Sequence, residues 1–155
     1  MRKNVLVSSL LCLALAMGVT ASAGENWVGN WKLNAAKSTP GTSGLRVDTL
    51  KFESTPEGIK LTSEGTDAQG KAIQAGYTSK FDGKDVPWAG NPMADSAAPK
   101  KIDDNSYENS WKMKGKGTVT AKVVVSKDGK TLTVTQDGTD PQGGKVHSVT
   151  VYDRQ

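Results

Sequence analysis

The chain has 155 residues, with 20 Lys and Arg against 16 Asp and Glu, one His, one Cys and a formal charge of +4. That length suits one core of ordinary size, and a mild charge without long single-sign blocks excludes a nucleic-acid arm or a polybasic membrane patch. One cysteine excludes an internal disulfide, and one histidine excludes a multi-histidine zinc site within a single chain.

Residues 1–23 have the layout of a secretory signal peptide. Arg2 and Lys3 form a basic start, Val5 to Val19 an apolar run, and Ala21-Ser22-Ala23 a small-residue cleavage site. The apolar run is shorter than the roughly 20 residues a membrane helix requires, and no second such run follows. The expectation is an exported protein, periplasmic or secreted, with no transmembrane segment in the mature chain. Removing 23 of the 155 residues leaves 132, and losing Arg2 and Lys3 lowers the formal charge from +4 to +2. Cys12 leaves with the same segment, so the mature chain has no thiol chemistry.

From residue 24 onward, short runs of alternating apolar and polar residues predict β-strands, each with one wet face. Trp27, Gly29, Trp31 and Leu33 share a face of the first. In the second, apolar parity slips between Leu45-Val47 and Leu50-Phe52, which predicts a β-bulge near Asp48-Thr49. After turns at Pro56-Glu57-Gly58 and Ala68-Gln69-Gly70, Ile73, Ala75, Tyr77, Ser79 and Phe81 share one face. Asp85 to Pro99 breaks the rhythm with Pro87, Trp88, Pro92 and Met93, and predicts a long loop across one end of the sheet. Tyr107, Asn109, Trp111 and Met113 then alternate with polar residues, as do Val119, Ala121, Val123 and Val125. Turns at Gly115-Lys116-Gly117, Asp128-Gly129 and Gln142-Gly143-Gly144 separate the remaining strands, which carry Leu132, Val134, Val149 and Val151. On the last strand His147 shares the parity of Val149 and Val151 and is expected to point inward. Tyr152 and Arg154 have the opposite parity.

One unit recurs. Gly-Thr-Asp-x-Gln-Gly follows a strand at residues 65–70 and again at 138–143, predicting a repeated hairpin. The fold class is all-β: a single domain over 24–155, an antiparallel up-and-down β-barrel of about eight strands with little helix. Its outward positions Lys80, Glu108, Lys112 and Lys122 would face lipid in an outer-membrane barrel, which argues against that class.

Catalytic signatures are absent. There is no Gly-x-Ser-x-Gly elbow, and Asp103-Asp104-Asn105 lacks the spaced oxygen ligands of a calcium loop, so no catalytic residue, metal or cofactor is expected. His147 has three readings: a hydrogen-bonded rim residue, a ligand contact or a general base. The tryptophans carry the remaining signal. In a closed sheet Trp31 and Trp111 line the interior and Trp88 covers an open end, making Trp31, Tyr77, Trp88, Trp111 and His147 the candidate contacts of a small apolar or amphipathic ligand. The modest number of large apolar residues predicts a small or absent cavity. The alternative is a structural or interaction module of the cell envelope with a filled core and an exposed apolar patch. No residue pattern signals an oligomeric state.

The Gly29-Asn30-Trp31 motif near the mature N-terminus, the repeated antiparallel hairpins and the terminal-strand Arg154 together resemble the calycin group, the lipocalins and fatty-acid-binding proteins. The resemblance implies that Trp31 fills the closed end of a barrel and that Arg154 packs across it. Gly29 would be there because a side chain would collide with a neighbouring element at that end. Over nearly the whole mature chain, Gly29-Asn30-Trp31-Lys32-Leu33-Asn34, Lys37-Ser38, Asp82-Gly83-Lys84-Asp85 and Gly90-Asn91-Pro92 also resemble a family of small uncharacterised secreted bacterial proteins. That second likeness implies no activity.

Overall fold

The computed structural model describes residues 25–39, 41, 43–114 and 117–155. The expected signal peptide and the turn residues Gly115 and Lys116 lie outside them. Two-residue periodicity is converted into ten strands: β1 (Gly29–Leu33), β2 (Arg46–Thr55), β3 (Gly58–Thr66), β4 (Ala72–Ser79), β5 (Val86–Pro87), β6 (Ser96–Asp103), β7 (Ser106–Lys112), β8 (Thr118–Val125), β9 (Thr131–Thr139) and β10 (Lys145–Arg154). Among the described residues the helical content is one 3-10 turn, Ala35–Lys37, whose cap Asn34 accepts a hydrogen bond from the Lys37 amide.

The strands follow one another antiparallel around the sheet, and β1 also pairs with β10, Trp31 opposite Arg154. The seam between β4 and the β5–β6 pair is closed more sparsely. Gly76 and Ala89 exchange two backbone hydrogen bonds of 2.9 and 3.0 Å, and Phe81 and Gly83 bond to Lys101 and Pro99. The result is an all-β, up-and-down, nearly closed barrel.

Ten strands replace the expected eight or so, and part of the difference lies between Asp85 and Pro99. That segment contains β5 and the start of β6, where a continuous loop was expected. Pro99 lies within β6 because its carbonyl accepts from Gly83. A strand residue's N–H and C=O point to the same side, so the donor that Pro99 lacks falls on the sparse seam and leaves the β7 ladder intact.

The bulge is where parity demands it. The β2–β3 register shifts between Val47 and Thr49, which lets Val47 and Leu50 both face the interior. The recurring hairpin is also real. Asp67 Oδ1 accepts from the Gln69 and Lys71 amides, and Asp140 Oδ1 accepts from those of Gln142 and Gly144. In both copies a glycine in the left-handed region, Gly70 or Gly143, completes the turn.

The last strand differs from expectation. Its inward residues are Val146, Ser148, Thr150 and Tyr152, since Val146 and Tyr152 line the interior and Ser148 lies opposite inward-facing Gln136. Val149 and Val151 face outward, and their carbonyls accept from the Thr39 and Asn34 amides, so residues 34–39 run beside β10; Val151 is nevertheless buried. Two outward valines that are partly or wholly buried have the sequence appearance of an inward face.

The core concentrates at one end. Trp27, Trp31, Phe52 and Leu132 are fully buried there, and Tyr107 packs against Trp27, Phe52 and Phe81 with ring centroids 5.2, 6.1 and 4.8 Å away.

Candidate functional site

Strand β1 builds the closed end. The Trp31 ring is 1% exposed, and its Nε1 donates to the Trp27 carbonyl at 2.8 Å. The Arg154 guanidinium lies 4.1 Å from the Trp31 ring centroid. It donates to the carbonyls of Gly129 (2.6 Å), Val28 (3.0 Å) and Asn26, so three backbone acceptors hold it over the ring. A Cβ at Gly29 would stand 2.6 Å from Arg154 Nη1, and the Gly29 φ of 135° is itself one that L-residues rarely adopt. Gly29, Trp31 and Arg154 thus form one structural plug.

Above the plug the barrel is hollow. A cavity of about 480 Å³ occupies the other end, where the composition predicts little or none. The added strands supply the physical reason. Barrel diameter grows with strand number, and side chains sufficient for about eight strands leave space in a wider barrel. The volume lies within the range of small-molecule sites.

Three aromatic side chains from separate segments form one side of the cavity. Trp88, just after β5, meets Tyr77 of β4 and Trp111 of β7, both edge-to-face at 88°, with centroids 5.5 and 5.4 Å apart. Val119, Ala121 and Val123 of β8 and Leu61 of β3 complete an apolar band. The charged residues among the described lining are Lys114 and Asp140. Both lie at the open end and are engaged: Lys114 Nζ lies 3.2 Å from Asp95, and Asp140 caps its own hairpin.

The polar atoms of this wall are incompletely satisfied. Tyr77 Oη, Trp88 Nε1 and Asn109 Oδ1 are buried without a hydrogen-bond partner, and all three side chains line the cavity. Each such atom ordinarily costs about 1–3 kcal/mol. Tyr77 Oη lies near the Tyr107 hydroxyl but is not hydrogen-bonded to it. Burial pushes the hydroxyls of Tyr77, Tyr107 and Tyr152 well above their ordinary range, so they remain protonated and able to donate. Tyr152 uses its proton on the Val47 carbonyl at 3.2 Å.

The segment from Trp88 to Asp95 covers the cavity on the seam side. Asn91 Oδ1 accepts from the Met93 and Ala94 amides, and Met93 in turn accepts from the Lys114 amide at 2.9 Å. A Cβ at Gly90 would stand 2.1 Å from the Gln74 carbonyl oxygen, so glycine permits the segment to sit against β4.

Of the five expected ligand contacts, the structure brings Tyr77, Trp88 and Trp111 together. Trp31 is not among the lining residues, because the plug occupies it. His147 is also removed from the interior. It is on the outer face, with Nδ1 2.7 Å from Asp137 and its side chain 61% exposed, because β10 faces inward with the opposite parity. Asn109 is the important wall residue that sequence reasoning did not select. A polar residue amid Tyr107, Trp111 and Met113 on an apolar face was its available signal. Asp103 Oδ1 accepts from the Asn105 amide, the main reason its carboxyl is held below the usual range, and it serves a turn.

The fold and cavity define a class, an antiparallel up-and-down barrel with a plugged end and a hollow end. No family model matches the chain, and no curated protein matches it.

Proposed function

We propose that this is an exported, non-enzymatic β-barrel that holds a small apolar or amphipathic molecule in its interior. The observation that carries the reading is the cavity of about 480 Å³ walled by Tyr77, Trp88 and Trp111. Aromatic walls with few polar groups provide apolar contact and orientation together. The basic, apolar and small-residue succession in residues 1–23 supports export to the periplasm or beyond. The plug of Gly29, Trp31 and Arg154 supports a calycin-like relationship.

An envelope interaction module is the competing reading. It calls for a filled interior and an exposed apolar patch. The interior is hollow, and the exposed large apolar residues among those described are Ile102 and Val124, which favours the binding reading.

Intrinsic tryptophan fluorescence provides the test, because Trp88 and Trp111 stand on the wall. Titration with a panel of lipids, aromatics and pigments is expected to give a saturable change for at least one compound, diminished in Trp88→Ala. No saturable change across the panel sinks the reading.

A further inference from the structure

The geometry points to an uncharged, planar heteroaromatic ligand that presents both a hydrogen-bond donor and an acceptor along one edge, with Asn109 as the residue that selects it. This inference rests on the binding reading above and specifies its ligand.

Asn109 lies on the inward face of β7, between Tyr107 and Trp111, and is 4% exposed. Its register partner on β8 is Ala121, a small residue that also lines the cavity and leaves space beside the amide. Asn109 Oδ1 is an acceptor without a donor. Two other polar residues of the wall are already engaged: Ser63 Oγ donates to the Ala75 carbonyl, and Gln136 accepts from Ser148. A buried amide acceptor left open is where a ligand gains most from a matching group.

The complementary half of the pattern comes from Tyr77 and Trp88. Both hold unpartnered donors, and indole N–H can only donate. A ligand edge bearing one N–H for Asn109 and one C=O for the Tyr77–Trp88 side would satisfy the set once side-chain rotation turns these buried atoms toward the cavity. The edge-to-face rings make a wall against which a flat aromatic body packs.

Charge argues against an anion. The cation among the described lining residues is Lys114, at the open end and paired with Asp95. Arg154 belongs to the plug, its guanidinium engaged by three carbonyls. A carboxylate in the depth of the cavity would be desolvated without a counter-charge.

Three bicyclic probes test the inference by calorimetry on the mature protein: isoquinolin-1(2H)-one, which has the N–H and C=O edge, naphthalene, which has neither, and 1-naphthoate, which is charged. The lactam is expected to bind at least about tenfold more tightly than naphthalene, the effect of one or two hydrogen bonds to otherwise unpaired groups, with 1-naphthoate weakest. Asn109→Leu keeps the branched shape and removes the amide, and should bring the lactam to within about threefold of naphthalene. Should Asn109→Leu fail to fold, Tyr77→Phe deletes one hydroxyl, keeps the ring and should narrow the preference in the same direction. Naphthalene or 1-naphthoate binding as tightly as the lactam, or a preference that survives the folded variant, overturns the inference while leaving the cavity a binding site. Binding of none of the three overturns this inference alone, while the binding reading stands or falls on the wider fluorescence panel of lipids, aromatics and pigments.

Discussion

Replacing Trp31 by alanine tests the plug most directly. The ring is 1% exposed, so deletion loses its transfer free energy and leaves a void, costing about 3–5 kcal/mol. The bond from Nε1 to the Trp27 carbonyl adds about 1 kcal/mol. Arg154 keeps its three carbonyl acceptors, so the guanidinium is not stranded and loses only its aromatic platform. The expected total is about 4–6 kcal/mol, against domain stabilities of about 5–15 kcal/mol. Trp88→Ala is the matched control. It removes two edge-to-face contacts worth about 0.5–1.5 kcal/mol each, from a ring that is only partly buried. Equilibrium urea denaturation followed by far-UV circular dichroism compares the two, since that signal is not dominated by the tryptophans being removed. A loss below about 2 kcal/mol for Trp31→Ala, or equal small losses for both variants, would refute the reasoning.

Alkaline pH should unfold the barrel. The chain's three tyrosines are Tyr77, Tyr107 and Tyr152, all with hydroxyls raised by burial, so above about pH 10 the unfolded chain ionises while the folded one stays neutral. Stability is then fully present below the unfolded value and falls as pH rises past it, by up to about 1.4 kcal/mol per pH unit for each tyrosine. Tyrosinate absorbance should therefore appear together with loss of circular dichroism, and gradual ionisation in a still-folded protein contradicts the burial argument. Gly90→Ala should cost about 1–3 kcal/mol from the left-handed backbone and lift the Trp88–Asp95 segment from β4. Faster exchange of the Ala89 amide is the expected sign, and unchanged exchange would show the segment is not held there. His147→Ala should change stability by less than about 0.5 kcal/mol and leave probe binding unaltered, because its contact with Asp137 is exposed on the outer face. A shift in probe affinity in that variant would return His147 to the site.

Local chemistry was legible in the sequence, and closure was not. The bulge at Val47–Thr49 could be read because side chains alternate with period two, and one slipped residue shows as a change of parity. The paired Asp67 and Asp140 turns could be read because each is closed by bonds within five residues of its own aspartate. The inward face of β10 could not be read. Parity identifies two faces but not which one lines the interior, and outward-facing Val149 and Val151 are themselves partly or wholly buried. The wall of Tyr77, Trp88 and Trp111 required the β4–β5 seam to bring distant segments together, although each aromatic was visible alone. The cavity is a difference between barrel width and side-chain volume. Composition bears on the second quantity, but only the tertiary closure of ten strands determines the first.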